Sequence, residues 1–338
     1  MGGNLVTHAG LTDRFGRVHR DLRISLTDRC SLRCTYCMPA DGVPWLQRDT
    51  MLSTDEIVRI ARVAVEMGIE EIRLTGGEPL LRADVVDVVD RLAHLTGPGG
   101  SPEISLTTNA LRLPQLASRL VDAGLTRVNV SLDTLRRDRF LELTRRDKLV
   151  ETLAGIAAAD AAGLSPIKIN AVAMRGVNDD EVADLTRFCV DHGYQMRFIE
   201  QMPLDGGHTW DRKEMVTGEE ILASLRAEWT LVERGDRGAA PAQVWDIAGT
   251  AASVGVIASV TAPFCGTCDR VRLTADGQLR ACLFSREESD LRGLLRGGGT
   301  DADLADAIAA NLRLKRPGHD IDDPGFLQPD RPMSAIGG

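Results

Sequence analysis

Short apolar runs alternate with helical patterns along residues 23–202 of this 338-residue chain. The runs are rich in β-branched residues, which is typical of buried strands. Between them, apolar residues recur every three or four positions, as in amphipathic helices. The six predicted strands are RISLT at 23–27, IRLT at 72–75, ISLTTN at 104–109, VNVSLD at 128–133, IKINAVAM at 167–174 and MRFIEQM at 196–202.

The first predicted helix has a clear beginning and end. It starts at the capping box Ser53-Thr54-Asp55-Glu56 and ends at Gly68. Repeated strand–helix units with right-handed crossovers form a parallel sheet. Six such units predict an α/β fold, an incomplete (β/α)6 barrel of the TIM type. A flat doubly wound sheet is the alternative.

The pattern changes after about residue 205. A helix is predicted near 217–229, followed by the strand-like run VGVIASVTA and an end rich in Gly, Asp and Arg. We therefore predict two parts: a partial barrel over 1–205, and a C-terminal α+β extension over 206–338.

Composition limits the classes of function. The net charge of −9 argues against a general nucleic-acid or anionic-membrane surface. The chain contains no apolar run of membrane-spanning length, and its first residues do not resemble a signal peptide. We expect a cytoplasmic protein with no membrane or nucleic-acid partner, either a monomer or a homodimer. Six of the seven cysteines fall in two groups, which favours metal binding over disulfides.

The first cysteine group, Cys30, Cys34 and Cys37, follows the first predicted strand. A structural zinc site has four ligands, whereas a catalytic metal site keeps a position open. A four-iron cluster held by three thiolates likewise leaves one iron free for another ligand. The alternative is a zinc site that a distant Cys or His completes.

The second cysteine group, Cys265, Cys268 and Cys282, also stops at three. Two alternating segments flank Asp276-Gly277, which predicts a β-hairpin that returns Cys282 toward Cys268. A zinc ribbon lacking one ligand is the alternative for this group.

The turn of this hairpin decides which side chains share a face. A two-residue turn would place Cys282 opposite Val271, and a three-residue turn with a bulge at Gly277 would place it opposite Arg270. We predict the bulged turn, because it brings Arg270 and Arg272 to the face that carries the cysteine.

Polar residues stand at the ends of the predicted strands, where a barrel carries its catalytic groups. The second strand is followed by Gly76-Gly77-Glu78-Pro79, the third ends in Thr107-Thr108-Asn109, and the fourth carries Ser131 and Asp133. We expect these residues and the first cysteine group to surround one site.

The motif C-x3-C-x2-C with Tyr36, together with GGEP, resembles the radical S-adenosylmethionine enzymes. With FCGTCDRVRLTADGQLRACLF and the C-terminal PMSAIGG, the chain resembles the family of molybdenum cofactor biosynthesis protein A, the GTP 3′,8-cyclases. The resemblance covers essentially the whole chain and is weakest over 205–260.

This resemblance implies two [4Fe–4S] clusters, one on each cysteine group, and S-adenosylmethionine bound at the free iron of the first. It implies that a radical generated there takes hydrogen from C3′ of GTP and that C3′ then joins C8 of guanine. The partners it implies are GTP, an unknown electron donor and the downstream cyclic pyranopterin monophosphate synthase.

The resemblance also implies roles for individual residues. The residues implied to contact S-adenosylmethionine are Tyr36, Gly77, Ser131 and Met202. The residues implied to contact GTP are Arg23, Arg73, Thr107, Lys168, Arg197, Arg270, Val271 and Arg272. Arg270 and Arg272 are also implied to be catalytic, with the terminal Gly337 and Gly338, which are expected to reach into the active site.

Two alternatives of function stay open at this point. One is a radical S-adenosylmethionine enzyme that modifies peptides and carries an auxiliary cluster; the other is a non-catalytic zinc-binding barrel.

The chain also departs from the family at Ala110, where the motif Thr-Thr-Asn is usually followed by Gly. If that position needs a positive φ, Ala110 is strained.

Overall fold

A computed structural model describes residues 11–337. The strands are β1 (Asp21–Ser25), β2 (Glu71–Thr75), β3 (Glu103–Thr108), β4 (Arg127–Ser131), β5 (Ile167–Ala173), β6 (Gln195–Glu200), β7 (Leu231–Glu233), β8 (Gln243–Ile247), β9 (Ser253–Ile257), β10 (Arg270–Leu273), β11 (Gln278–Arg280) and β12 (Ser289–Asp290). The helices are α1 (Thr54–Glu66), α2 (Val85–Ala93), α3 (Leu113–Asp122), α4 (Arg137–Thr144), α5 (Leu149–Ala161), α6 (Val182–His192), α7 (Gly218–Arg226), α8 (Leu291–Arg296), α9 (Asp301–Arg313) and α10 (Met333–Ile336).

All these strands belong to one sheet with the order β12-β11-β10-β1-β2-β3-β4-β5-β6-β9-β8-β7. From β10 to β9 the neighbours run parallel, and the pairs at both ends are antiparallel. Helices follow β1 to β6 in turn, so the protein has an α/β fold with a mixed sheet.

The six strands predicted from the sequence are confirmed, each within two residues at either end. The capping box of α1 is confirmed as well: Ser53 Oγ accepts from the Glu56 backbone at 3.2 Å, and Glu56 Oε2 accepts from the Ser53 backbone at 2.8 Å. The helix predicted near 217–229 is α7. Local patterns therefore identified these elements correctly.

The region after residue 205 adds strands to both sides of the six central ones. β9 pairs in parallel with β6, and β10 pairs in parallel with β1. The sheet therefore crosses the predicted boundary at 205, although the division into 1–205 and 206–338 itself stays a prediction. Among residues 11–337, no helix has the length and hydrophobicity to cross a membrane.

The hydrophobic core lies between one face of the sheet and the helices. Leu22 and Ile24 of β1 and Val271 of β10 point into this core. Because side chains alternate along a strand, Arg23 between them faces the other way. The second face of the sheet is therefore free to carry polar groups.

Ala110 has a φ of 67°, which confirms the strain expected from the sequence. A left-handed conformation costs a residue with a Cβ about 1–2 kcal/mol. The loop is held in place all the same, because the Ala110 carbonyl oxygen accepts from Leu113 at 3.0 Å, in the first turn of α3. On its other side this loop packs directly against Gly155 of α5.

We predict that Gly155→Ala lowers the free energy of unfolding by about 2–3 kcal/mol, as overpacking in a core does. The added Cβ would lie 2.1 Å from the Ala110 carbonyl oxygen, so helix and loop would have to separate. Denaturant unfolding measures the effect. The control is Gly235→Ala, whose Cβ would have no atom within 4 Å. Equal stability of the two variants would contradict this packing.

Candidate active site

The strand register lines up cationic side chains on the polar face of the sheet. Arg23 of β1 lies opposite Arg272 of β10 on one side and opposite Arg73 of β2 on the other. Neighbouring strands are about 4.8 Å apart, so these three positions adjoin each other. Farther along the sheet, Lys168 and Arg197 lie on β5 and β6.

This polar face forms the wall of a cavity of about 410 Å³. Both cysteine groups line the same cavity. The predicted site residues in its lining are Cys30, Cys34, Cys37, Cys265, Cys268, Cys282, Tyr36, Gly77, Ser131, Met202, Arg23, Arg73, Thr107, Lys168, Arg197, Arg270 and Arg272. The tertiary structure therefore brings together residues that are spread over most of the sequence.

The cations of the wall are poorly neutralised. Among the described residues, Arg23 Nε and two nitrogens of Arg270 are buried without a hydrogen-bond partner. The carboxylate of Asp21 is 3.7 Å from Arg23 Nε, and it is buried as well. Burying charge without a partner is unfavourable, so this wall suits an anionic ligand.

The pKa values reflect the same imbalance. Burial, and then the neighbouring charge of Arg73, lowers the pKa of Arg23 well below its usual value. Burial and Arg270 lower the pKa of Arg272 to about 10. Burial lowers the pKa of Lys168 to about 8, and Arg127 is the next largest cause. Each cation makes its neighbours harder to protonate.

The GGEP loop lies directly against the chain that leads into the first cysteine group. The Gly77 backbone donates to Thr27 O at 2.7 Å, and Glu78 N donates to Arg29 O at 2.7 Å. A Cβ at Gly77 would lie 2.4 Å from Arg29 O, so only glycine permits this approach.

Glu78 ties this loop to the end of β3, a role that the sequence did not suggest. Its buried carboxylate accepts from Thr108 Oγ1 at 2.7 Å, Asn109 N at 2.7 Å and Leu80 N at 3.0 Å. Asn109 in turn donates to Ser31 Oγ at 3.1 Å, beside Cys30. One feature of the sequence could have indicated this role: Glu78 is an acidic residue directly after two glycines at the end of a strand.

Tyr36, in the loop of the first cysteine group, is held by Asp133. Its hydroxyl donates to Asp133 Oδ2 at 2.8 Å, and Asp133 Oδ1 accepts from Val172 N at 2.9 Å. Burial raises the pKa of Asp133 to about 6. Asp133 had been predicted only as a strand-end residue, and it links the cysteine loop to β5.

The bulged hairpin at the second cysteine group is confirmed. Arg272 pairs with Arg280, and Gly277 has a φ of 80° in a three-residue turn. Continued two residues beyond β11, this register would place Cys282 opposite Arg270, and both residues line the cavity. Burial disfavours the thiolate of Cys268, but Arg270 and Lys315 outweigh it and lower its pKa to about 7.

Two predicted residues lie outside the cavity lining. Val271 is 2% exposed and packs in the core, because it faces away from its two arginine neighbours. Gly337 is buried, and its carbonyl oxygen accepts from Arg272 Nη1 at 2.7 Å. A Cβ there would lie 2.5 Å from Thr75 Oγ1. Gly338 lies outside the described residues.

Each cysteine group offers three thiols to a common cavity, which fits an iron–sulfur cluster with one open iron. In residues 11–337, no three or more Cys, His, Asp or Glu side chains are arranged to hold a single metal ion. A four-iron cluster does not need that convergence, because each thiolate binds a different iron.

Comparison with known proteins agrees with these features. The family model "Radical SAM superfamily" matches residues 24–189, and "Molybdenum Cofactor Synthesis C" matches residues 194–321. The GTP 3′,8-cyclase of Streptomyces coelicolor is 55% identical over 331 residues, which cover 97% of this chain and 96% of the relative. This chain belongs to the GTP 3′,8-cyclase family.

A second relative gives the same result for the family. The GTP 3′,8-cyclase of Corynebacterium glutamicum is 54% identical over 336 residues, 97% of this chain and 89% of the relative. Membership of the radical S-adenosylmethionine superfamily implies one [4Fe–4S] cluster and S-adenosylmethionine.

Solved structures with this fold include more distant proteins. Streptococcus suis SuiB bound to its precursor peptide SuiA has a TM-score of 0.59 at 16% identity, covering 88% of this chain and 67% of SuiB. The protein anSMEcpe with bound AdoMet has a TM-score of 0.58 at 12% identity, and the match covers 89% of this chain and 79% of anSMEcpe. At these identities the likeness concerns the fold alone.

We predict that Glu78→Gln lowers the free energy of unfolding by about 1–3 kcal/mol, the penalty for leaving a buried donor unsatisfied. An amide NH2 would replace one oxygen that now accepts a hydrogen bond. Thermal or denaturant unfolding measures this. The control is Glu151→Gln at an exposed Lys148 pair, where we expect a change within about 0.5 kcal/mol. An equal loss of unfolding free energy in Glu78→Gln and Glu151→Gln would show that the hydrogen bonds of Glu78 contribute little to stability.

Proposed function

We propose that the protein is a GTP 3′,8-cyclase, a radical S-adenosylmethionine lyase that converts GTP to (8S)-3′,8-cyclo-7,8-dihydroguanosine 5′-triphosphate in molybdenum cofactor biosynthesis. The observation that carries this proposal is that one cavity is lined by both three-thiol groups and by the cations Arg23, Arg73, Lys168, Arg197, Arg270 and Arg272. The 55% identity to a GTP 3′,8-cyclase over nearly the full length supports it.

In the same proposal the architecture is an incomplete (β/α)6 barrel with a C-terminal α+β extension. The carboxyl ends of β1 to β4 carry the first cysteine group, the GGEP loop, Asn109 and Asp133. This placement is the one that barrel enzymes use for their active sites. The hairpin of the extension brings the second group to the same cavity.

Cys30, Cys34 and Cys37 would hold one [4Fe–4S] cluster, and Cys265, Cys268 and Cys282 a second. When bound, the first cluster and S-adenosylmethionine would supply the one-electron chemistry of the superfamily. The protein contributes by holding the reacting groups close together and by keeping water out.

The S-adenosylmethionine contacts that we propose are Tyr36, Gly77, Ser131 and Met202. All four line the cavity that also contains the first cysteine group. The hydrogen bond from Tyr36 to Asp133 fixes the ring, so its face can support an adenine base. At Gly77 the absence of a side chain lets the loop lie against the backbone before the first cysteine group, which places the loop beside the proposed ligand.

GTP would occupy the cationic part of the cavity. A triphosphate carries several negative charges, and Arg23, Arg73 and Lys168 can meet them, since Asp21 offsets only part of the positive charge of this group. Arg197 donates to Met196 O at 2.8 Å and to Gln195 Oε1 at 3.0 Å, so it is partly engaged already. Thr107 adds a hydroxyl, and Val271 would contribute through its backbone, because its side chain faces the core.

Arg270 and Arg272 would act nearest to the reacting nucleotide. Arg270 stacks on the Phe264 ring at 4.5 Å, which fixes its guanidinium beside the second cysteine group. Arg272 lines the cavity and donates to the Gly337 carbonyl, so Gly337 is held next to a residue of the cavity lining. We include Gly337 and Gly338 in the catalytic proposal for this reason.

The pathway and cellular context belong to the proposal as well. The product would pass to the cyclic pyranopterin monophosphate synthase, and a cytoplasmic reductant would supply electrons. The protein would act as a monomer or a homodimer.

Anaerobic incubation of the reconstituted, reduced protein with S-adenosylmethionine and GTP tests the function. We expect 5′-deoxyadenosine and a cyclised nucleotide that both depend on GTP and on Cys30. Release of 5′-deoxyadenosine without GTP would favour the peptide-modifying alternative. A colourless protein with stoichiometric zinc would favour the zinc-binding barrel.

We also predict that GTP binding takes up protons near pH 8. The pKa of Lys168 is lowered to about 8, so about half of these amines are neutral at that pH. A bound triphosphate raises this pKa, so GTP binds more weakly as the pH rises above 8. Calorimetry without S-adenosylmethionine, in two buffers of different ionisation enthalpy, measures the uptake.

The matched variants are Lys168→Met and Lys148→Met, the second at an exposed lysine outside the cavity. Proton uptake at pH 8 should be lost in the first and kept in the second. Uptake that persists in Lys168→Met would assign the proton to another group.

A further inference from the structure

Lys315 is a buried cation that the proposed reaction does not use. It lies just after α9 and is 3% exposed. Its ammonium is 2.7 Å from Arg270 O, 3.5 Å from Cys268 Sγ and 3.4 Å from His19 Nδ1. Within residues 11–337 no carboxylate forms an ion pair with it, so the partner best suited to its charge is the sulfur.

The N-terminal segment before β1 holds Lys315 in this position. His19 Nε2 is 3.1 Å from Asp13 Oδ2, while its Nδ1 faces Lys315. An ammonium only donates and a carboxylate only accepts, so a neutral imidazole protonated at Nε2 satisfies both contacts. Arg17 completes the arrangement: it pairs with Asp13 at 2.6 Å and donates to Cys265 O at 2.7 Å.

Lys315 contacts the second cysteine group from outside the proposed substrate cavity. It does not line the cavity that holds the cationic wall. It lines a neighbouring cavity of about 480 Å³ on the other side of Cys282. It therefore has no access to a substrate in the first cavity, in contrast to Arg270 and Arg272.

We propose that Lys315 is a positioning residue for the second cysteine group, where its ammonium donates an N–H···S hydrogen bond to the Cys268 thiolate and holds the Arg270 backbone. This proposal rests on the second [4Fe–4S] cluster of the proposed function. Hydrogen bonds and positive charge at a ligating sulfur stabilise the reduced form of a cluster. Lys315 should therefore raise the reduction potential of the second cluster.

The test isolates that cluster in the full-length chain. Cys30, Cys34 and Cys37 are changed to Ala, and the protein is reconstituted anaerobically with iron and sulfide, which should give about four irons per chain. An electron paramagnetic resonance redox titration then gives the midpoint potential of the second cluster. Lys315→Met removes the charge, Lys315→Arg keeps it, and Lys148→Met is the control at an exposed lysine.

We expect Lys315→Met to shift the midpoint potential of the second cluster to a more negative value. Lys315→Arg should have a midpoint potential close to that of the chain with Lys315, and Lys148→Met should leave the potential unchanged. Loss of iron in Lys315→Met that Lys315→Arg restores would also support the role. An unchanged midpoint and iron content in Lys315→Met would overturn it, as would equal loss of iron in both variants. If the chain with native Lys315 binds no iron, the second cluster and this role both fail, whereas the other results bear on Lys315 alone.

Discussion

Arg23 and its neighbours Arg73 and Arg272 lie side by side because three parallel strands pair at the same register. Side chains alternate between the two faces of each strand, so Leu22 and Val271 enter the core when the arginines face the cavity. The two sets cannot be moved independently, since a shift of one residue would exchange their faces. The constraint that builds the hydrophobic core therefore also concentrates positive charge on the opposite face.

This arrangement explains how an acidic protein can suit an anionic substrate. The overall charge is −9, yet the cavity wall carries several cations, and buried donors of Arg23 and Arg270 lack partners among the described residues. A buried cation without a partner is unfavourable, and an incoming phosphate removes that penalty. Asp21 offsets part of the charge, so the wall can stay folded before a ligand arrives.

The loops at the strand ends are held by bonds that do not involve a ligand. Gly77 allows the GGEP loop to touch the chain before the first cysteine group, and Glu78 fastens it to β3. Tyr36 reaches across to Asp133 on the other side. Lys315 and Arg17 brace the second group in a similar way. Both cysteine groups are therefore preorganised, which limits the entropy lost when a cluster and its ligands bind.

The sequence by itself determined the six central strands, both cysteine groups and the presence of a hairpin at Asp276-Gly277. These features follow from residues close together in the chain, where side-chain period, turn chemistry and motif spacing act locally. Only the tertiary structure decided that β10 lies beside β1, that Val271 faces the core and that Lys315 reaches Cys268. Those contacts join residues far apart in the sequence, and they depend on which strands pair and at what register.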